Sequence, residues 1–255
     1  MNKKLRTFVY PVCAFIVLLL LWQVCVMLST SEIAFPTPVA VFKEFFYILT
    51  HKVGNYYTVV GHVLWSLSRV LVGFSIAAVL GIILGLTMGW FDYVRAVMMP
   101  IFNLLRPIAP LAWIPLAILW FGIGEKYKYL LIFIAAFVPF TLNAFAGASH
   151  VDKQLVGAAR MLGASKSQLF FEIVVPAAVP SIFSGAQVAL SNSWMTMLAA
   201  EMTEGVGWII IAGQSVNDMT QMIAGMLAIG IVGLLLAIGM RKLEERCLIW
   251  NNQGK

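Results

Sequence analysis

The residues of this sequence that could do chemistry are few, and the most conspicuous is a single arginine. Arg106 lies well inside a long apolar run. A charge placed there is costly and by default marks a pathway or a gate. Its guanidinium can hold an anion through paired hydrogen bonds, can hydrogen-bond the carbonyls freed by Pro107 and Pro110, or can reach the membrane surface along its own stem. The sequence alone leaves these three interpretations open.

Uncharged polar side chains and two tryptophans form a second group of candidates in the apolar runs. The polar side chains can line a pathway or bond between helices. The tryptophans can line a cavity or pack as anchors. With Arg106, the pathway candidates are Trp113, Asn143, Gln187, Ser191, Asn192 and Trp194.

Enzymatic chemistry is not indicated. The sequence contains no H-E-x-x-H, no G-x-S-x-G and no clustered carboxylates within the apolar runs, so neither a metal-dependent nor a serine hydrolase is predicted. It also has no G-x-x-x-x-G-K-[ST] segment, so any ATP must be bound by another protein. The three cysteines, Cys13, Cys25 and Cys247, are interpreted as reduced or buried thiols, and no metal site is predicted.

Composition places these residues in a membrane. Of the 255 residues, 61% are hydrophobic and 11% are charged, whereas soluble domains have about 45–50% apolar and about 25% charged residues. The net charge is +6, but the charged residues cluster at the ends of apolar runs. That distribution indicates membrane topology, and a nucleic-acid partner is not predicted.

Six apolar runs predict an all-α integral membrane protein with one domain, residues 1–255. The first run is too long for the hydrophobic part of a signal peptide, so we expect a retained helix. The second carries Gly81, Gly85 and Gly89, whose spacing predicts a close helix contact. The third and fifth contain prolines, and such broken helices need protein or water around them, so they are the best candidates to line a pathway. The predicted crossings are 9–28, 70–88, 97–121, 129–148, 173–200 and 222–240.

The lysine and arginine distribution predicts the orientation. With the N-terminus inside, the inner segments hold 11 Lys and Arg residues, the outer segments hold 5, and Arg106 lies within a run. Both termini are therefore expected on the cytoplasmic side. Arg69 is counted with the outer residues, in a stretch (29–69) that we expect to be too polar to cross lipid. Within it, Pro38 is expected to open a surface helix.

A long inner loop, residues 150–172, joins the fourth and fifth crossings. Its first half is amphipathic, with Leu155, Ala158, Ala159 and Leu162 on one helical face. Gly163 is expected to end that helix. Ser165 and Gln168 have the spacing of a capping box that starts a second helix. Spacing alone also fits a plain connecting helix.

The string GAARMLGASKSQLFFEIVVP resembles the cytoplasmic loop of binding-protein-dependent ABC importer permeases, whose pattern is E-A-A, three residues, G, nine residues, then I-x-L-P. The chain departs from it at Gly157, where the pattern has Glu, and at Val175, where it has Leu. From about Phe35 to Trp250 the sequence is similar to that of the nitrate/sulfonate/taurine group of these permeases. Matching positions and apolar anchors give the expected coupling residues Leu155, Gly157, Ala158, Ala159, Leu162, Gly163, Ile173 and Pro176, with Phe170 as a further anchor.

The resemblance implies a type I ABC importer permease fold with defined partners. The loop helix would enter a groove of an ATPase subunit, in the way amphipathic helices fill apolar grooves. The implied partners are two ATPase subunits that hold ATP and magnesium, a second copy of this chain, and an extracytoplasmic binding protein. Glu201 and Glu204, at the outer end of the fifth crossing, are candidates to contact that binding protein. The chain itself is expected to bind no cofactor.

The resemblance favours a small anion as the cargo, with an alkanesulfonate such as taurine first. Nitrate, a pyrimidine precursor or an aromatic acid are alternatives within the same class. An ion-gradient-driven secondary transporter would need acidic or histidine relays at membrane depth, and none is evident. A membrane enzyme and a scaffold are the remaining rivals.

Overall fold

The computed structural model describes residues 3–28, 35–53 and 57–248, and in that part of the chain the protein is helical. The one β contact found there is a single antiparallel bridge between Val53 and Tyr57. This agrees with the predicted all-α class. The C-terminal tail beyond Leu248, including Lys255 of the charge count, lies outside the described residues.

The described helices follow the apolar runs. A short 3-10 turn, Pro110–Trp113, precedes the helix that begins at Ile114, and Leu169–Val174 form a π-helical turn inside the helix that begins at Lys166. The helices are α1 (Lys3–Leu28), α2 (Pro38–Thr50), α3 (Val59–Trp90), α4 (Asp92–Leu105), α5 (Ile114–Phe121), α6 (Glu125–Ser149), α7 (Lys153–Met161), α8 (Lys166–Ala200), α9 (Val206–Ser215) and α10 (Met219–Cys247).

Four of these helices, α3, α6, α8 and α10, are long and apolar enough to cross a membrane. They correspond to the second, fourth, fifth and sixth predicted crossings. The third is a pair, α4 and α5, bent by 85° at the break between them. The described apolar part of α1, Val12–Leu28, is shorter than the four. The count of six crossings therefore stays a prediction.

Two boundaries differ from the prediction. Helix α3 begins at Val59, so Arg69, which we had assigned to a polar outer stretch, lies within the helix. The reason is that Arg69 is 1% exposed and is paired inside the protein. The third run is broken because Pro107 and Pro110 have no N–H to continue the helical hydrogen bonds.

The core is built on close contact between α3 and α6, as the glycine spacing predicted. A Cβ added at Gly73 would lie 2.7 Å from Ile132 Cγ2, and one at Gly81 would lie 2.8 Å from Phe140 Cβ. Helix α8 packs on the other side of α6, where Gly185 meets Asn143 in the same way. Small residues thus bring three helix backbones together.

The bundle has two ends, which we call the loop end and the charged end. At the loop end, the rings of Trp90 and Phe170 lie 5.6 Å apart and join α3 to the start of α8. At the charged end, Arg69 pairs with Glu125 and Glu201. The surface helix α2 starts at Pro38 as predicted, with Thr37 capping it.

Candidate functional site

A large cavity lies beside the break between α4 and α5, against α6 and α8. Its volume is about 760 Å³. Four of the seven pathway candidates line it, namely Arg106, Trp113, Asn143 and Asn192, and Asn103 joins them. The broken pair α4–α5, the proline-containing helix α8 and α6 therefore meet around one space. The predicted break of the fifth crossing is wrong, because α8 continues through Pro176 and Pro180.

Arg106 stands where the helix breaks. Its backbone N–H donates to Phe102 O at 2.8 Å and closes α4. Among the described residues, its guanidinium has no hydrogen bond to a carbonyl and no ion pair. The bonds expected from the carbonyl-capping interpretation are therefore not formed there, and the five N–H donors of the side chain are free at the cavity wall.

The rest of the cavity wall is mostly apolar and aromatic. Phe133 and Phe137 stack with ring centroids 5.1 Å apart. Asn143 donates from Nδ2 to Pro139 O at 2.9 Å, so its amide is held in place by its own helix. A few polar groups among apolar walls are typical of small-molecule sites.

The other three pathway candidates are not in this cavity. Gln187, Ser191 and Trp194 line a smaller space of about 260 Å³ between α8 and α10. Gln187 Nε2 donates to Glu244 Oε2 at 2.5 Å, which ties α8 to α10. Trp194 is 6% exposed, and its Nε1 has no partner among the described residues. The structure thus separates the candidates into two groups.

The loop at the other end of α8 has the predicted local structure. Asp152 caps α7 by accepting from Gln154 N at 2.8 Å. Gly163 has φ +87° and ends the helix, and Ala164 N donates back to Ala159 O. Ser165 and Gln168 form the predicted capping box. Helix α8 begins there and continues to the cavity.

Two of the three predicted apolar anchors of this loop are exposed, and the third is not. Leu155 is 53% exposed and Leu162 is 89% exposed, and Gly157 has open space beside it. Phe170, which we had expected to be an outward anchor, instead packs against Trp90 in the core. Its place outside is taken by its neighbour Phe171, which is 65% exposed. The remaining members of the set are Ala158 and Pro176, exposed, and Ala159 and Ile173, partly buried.

The charged end holds a buried ion-pair cluster that the sequence analysis missed. Arg69 donates from Nε to Glu125 Oε2 at 2.5 Å, from Nη2 to Glu204 Oε1 at 2.5 Å, and from Nη1 to Glu201 Oε1 at 3.3 Å. Lys128 Nζ donates to Glu125 Oε1 at 3.0 Å. We call these five side chains the Arg69 cluster. It joins α3, α6, the end of α8 and the start of α9.

Helix α3 also binds the start of α9 through neutral groups. Gly205 N donates to His62 Nδ1 at 3.3 Å, and Val206 N donates to Ser66 Oγ at 3.1 Å. Ser66 in turn donates to Glu201, which accepts from Gly207 N at 2.9 Å. These bonds satisfy donors at the first turn of α9 that have no partner in the helix itself.

Glu201 does not lie where the sequence analysis expected it. Its exposure is 0%, because it points into the Arg69 cluster. The prediction that Glu201 contacts a binding protein is therefore wrong. Burial raises the pKa of Glu201, while hydrogen bonds from Ser66 and Gly207 and the charge of Arg69 act in the opposite direction. Glu204 is 41% exposed and stays accessible. The missed signal was that every member of the cluster stands at an end of an apolar run, and the second, fourth and fifth crossings bring those ends together.

Comparison with known proteins identifies the architecture. Residues 77–245 match the family described as the binding-protein-dependent transport system inner membrane component. A chain of the MetNI methionine ABC transporter, in inward-facing conformations, has the same fold with a TM-score of 0.64 and 17% identity, covering 74% of this chain and 95% of that chain. That likeness supports the type I permease fold.

Three curated relatives cover nearly the whole chain. The nitrate import permease protein NrtB of Synechocystis is 38% identical over 248 residues, 92% of this chain and 90% of that protein. The taurine transport system permease protein TauC of Escherichia coli is 34% identical over 235 residues, 91% of this chain and 86% of that protein. The bicarbonate transport system permease protein CmpB of Synechococcus elongatus is 33% identical over 245 residues, 92% of this chain and 87% of that protein.

The family defines the role of the chain and of its partners. Its members are transport subunits and not enzymes, they work with a separate ATPase subunit and a substrate-binding protein, and they reside in the inner membrane. With its spanning helices and the fold described above, this chain belongs to the family of binding-protein-dependent inner-membrane components, as a permease subunit of an ABC importer.

Proposed function

We propose that this permease imports a small anion and that the anion is an alkanesulfonate such as taurine. The observation that carries the proposal is the unpaired guanidinium of Arg106 at the wall of the 760 Å³ cavity. The names of the relatives, which refer to taurine, nitrate and bicarbonate, are consistent with an anionic cargo. Nitrate, a pyrimidine precursor and an aromatic acid are the alternatives within the same class.

The physical argument concerns the cost of an unpaired cation in a membrane. Arg106 is exposed in the single chain, and no protein group among the described residues pairs with its guanidinium. Once an assembled pathway encloses it, that guanidinium needs hydrogen-bond acceptors. A sulfonate, carboxylate or nitrate supplies them through two parallel N–H to oxygen bonds. Asn103, Asn143 and Asn192 lie in the same wall and can bind the remaining oxygens.

The cavity does not suit an ion-gradient-driven mechanism. Such a transporter needs a titratable relay along its pathway. No Asp, Glu or His lines the cavity within the described part of the chain. The buried carboxylate Glu201 lies instead at the charged end, in the Arg69 cluster.

The proposal includes the assembly. Two copies of this chain would enclose one pathway, each would dock one ATPase subunit that binds ATP and magnesium, and the loop and both termini would face the cytoplasm. The support is that one chain has one coupling loop, while two ATPase subunits must close together, and a two-fold axis supplies the second loop. The lysine and arginine distribution supports the orientation.

The continuity of α8 suggests how loop movement reaches the cavity. The helix starts at the capping box of Ser165 and extends without a break to Ala200, past Asn192 at the cavity wall. Its first turns are packed on α3 through Phe170 and Trp90. A shift of the docked loop would therefore move α8 as a rod, with the π-helical turn at Leu169–Val174 as its irregular point.

Substitutions at Arg106 test the proposal. We expect Arg106→Lys to keep transport with a weakened apparent affinity, because the charge remains while the planar fork is lost. Arg106→Gln should abolish uptake while assembly and basal ATP hydrolysis persist. The measurement is uptake of taurine by the complete transporter, normalised to inserted protein, with Arg95→Gln as the control at an exposed arginine. An unchanged apparent affinity in Arg106→Gln would refute the role in anion binding.

A further inference from the structure

Helix α2 has three chemically different faces, and one of them leaves a row of apolar side chains exposed. We propose that this face binds lipid at the charged end of the bundle, with its phenylalanines among the acyl chains and Lys43 at the lipid phosphates. The proposal goes beyond the import of an anion and does not depend on the nature of the cargo.

The first face of α2 packs against the protein. Val41 and Ile48 are 2% and 3% exposed, and their separation of seven residues is close to two turns of helix. Ile48 lies in a core cluster with Val59 and Val206, the first residues of α3 and α9. This face therefore fixes α2 to the charged end of the bundle, where α9 begins beside the Arg69 cluster.

The second face points away from the bundle and is apolar. Val39, Phe42 and Phe46 are 73%, 36% and 65% exposed. They follow one another at intervals of three and four residues, which places them on one side of the helix. We call these three residues the apolar face. A row of this kind is costly to leave in water, so we expect it to be covered.

The third face lies beside the apolar face and carries polar tips. Lys43 is exposed. Tyr47, one turn later, is 54% exposed and stacks on His51 with ring centroids 4.0 Å apart. Lysine and tyrosine combine an apolar body with a polar end, and both are favoured at the surface of a membrane. A helix with one side for lipid and an adjoining side for headgroups is typical of the membrane interface.

The helices that hold α2 expose apolar side chains at the same end. Helix α2 packs on α10 and α3, and both are long and apolar enough to cross a membrane. In the first two turns of α3, Val60 and Leu64 are 50% and 62% exposed, and Met226, early in α10, is 49% exposed. Spanning helices present such residues to the bilayer. Lipid therefore reaches the surface that the apolar face of α2 extends.

Two observations favour lipid over a second copy of the chain as the occupant. In the assembly proposed above, two copies enclose a pathway lined by α4, α6 and α8, whereas α2 packs on α10 and α3. Lys43 stands next to the apolar face and forms no ion pair within the described part of the chain. The phosphates of a lipid surface supply its counter-ions by charge-assisted hydrogen bonds.

Spin-label depth measurements test the proposal. The permease–ATPase complex would be placed in nanodiscs of phosphatidylethanolamine and phosphatidylglycerol, and its chain would carry single cysteines after replacement of the three native ones. Electron paramagnetic resonance then compares collisions of each label with oxygen, which concentrates in lipid, and with a nickel chelate, which stays in water. We expect a high ratio of oxygen to nickel collisions for Phe42→Cys and Phe46→Cys, and a lower ratio for Lys43→Cys and Tyr47→Cys.

Two comparisons serve as controls. Phe46 and Tyr47 are adjacent and similarly exposed, so a difference between their labels reports the direction of the face and not the accessibility of the helix. In the Phe46→Cys chain, Lys43→Glu should lower the ratio, because the phosphates repel the new carboxylate. Lys52→Glu, at an exposed lysine beyond the end of α2, should leave the ratio unchanged. The four labelled positions stand as a test even where Lys43→Glu does not assemble.

Each outcome supports the proposal or overturns a stated part of it. A label at Phe46→Cys that collides mainly with the nickel chelate overturns the lipid contact, because the apolar face is then in water. A label shielded from both reagents and broadened by a second label shows that another copy covers the face, and it overturns the proposal as well. Equal ratios at Phe46→Cys and Tyr47→Cys contradict the separation of the faces. An effect of Lys43→Glu no larger than that of Lys52→Glu refutes the phosphate contact. The anion site is tested separately by Arg106→Gln.

Discussion

Replacement of Arg69 by methionine tests the reasoning about the charged end most directly. Arg69 is 1% exposed and binds three carboxylates. Methionine keeps much of the apolar stem and removes the charge. Glu201, which is 0% exposed, would then keep only Ser66 and the backbone N–H of Gly207 as hydrogen-bond partners.

The magnitude follows from the exposure of the three carboxylates. Removing one partner from a buried pair costs about 3–5 kcal/mol. Glu125 and Glu204 are 43% and 41% exposed and can regain water, so they add little. The cost comes mainly from Glu201 and is expected at the lower limit, about 3 kcal/mol. For a chain of this length that is a fall in melting temperature of roughly 6–12 °C.

Thermal unfolding of the purified permease–ATPase complex is the assay. The matched control is Arg95→Met, since Arg95 pairs with Asp92 at the surface with 47% and 89% exposure, and such pairs contribute about 0–1 kcal/mol. The double variant Arg69→Met with Glu201→Gln should recover part of the loss, because the buried side chain is then neutral and still accepts from Gly207. Equal shifts for both methionine variants, or a double variant no more stable than Arg69→Met, would refute the reasoning.

Three further predictions concern the loop, the assembly and the charge on α2. Ala159→Glu should uncouple ATP hydrolysis from transport and weaken co-purification with the ATPase, because a bulky charge prevents close approach of α7. In a chain whose three cysteines are replaced, Ser184→Cys and Ser191→Cys should each form same-position cross-links in the assembled transporter, since both positions are exposed on α8. Burial, together with the Asp218 carboxylate, raises the pKa of Glu44 above its ordinary 4.5. The folded protein therefore holds this proton more tightly than the unfolded chain does, and the free energy of unfolding falls as the pH rises through the raised pKa. Glu44→Gln should recover a small part of that loss, under about 0.5 kcal/mol near neutral pH, and thermal unfolding between about pH 5 and pH 8 measures it.

Matched controls accompany these three. Arg160→Glu changes the charge on the opposite face of α7 and should keep coupling, so full ATP-dependent uptake by Ala159→Glu would contradict the docking face. Ala189→Cys, at a residue with 0% exposure, should give no cross-link, and an absence of links at both serine positions would count against a homodimer. A Glu44→Gln protein less stable than the parent at neutral pH would contradict the sign of the pKa argument.

The local features were determined by the sequence. The helix end at Gly163 and the capping box of Ser165 and Gln168 form within a few residues of chain, so residue type and spacing were sufficient to predict them. The contact between α3 and α6 was also predictable, because glycine at every fourth position leaves one helix face without side chains. The class, an integral membrane protein, followed from composition, and the family resemblance followed from the sequence of the loop.

The tertiary structure alone decided the arrangements between distant residues. Arg69 reaches carboxylates 56 and 132 positions away, and no local pattern links those positions, so the sequence analysis placed each charge in a separate loop. The seven pathway candidates divided into two cavities because Gln187, Ser191 and Trp194 share the face of α8 that lies toward α10, whereas Asn192 lies on the face toward the other cavity. Phe170 and Phe171 are adjacent and chemically alike, yet one packs on Trp90 and the other is exposed. Adjacent residues of a helix point in different directions, and the position of α3 decides which of the two rings is covered. Spacing along the chain fixes what each segment forms, whereas the direction in which a side chain points after a break depends on the helices that pack around it.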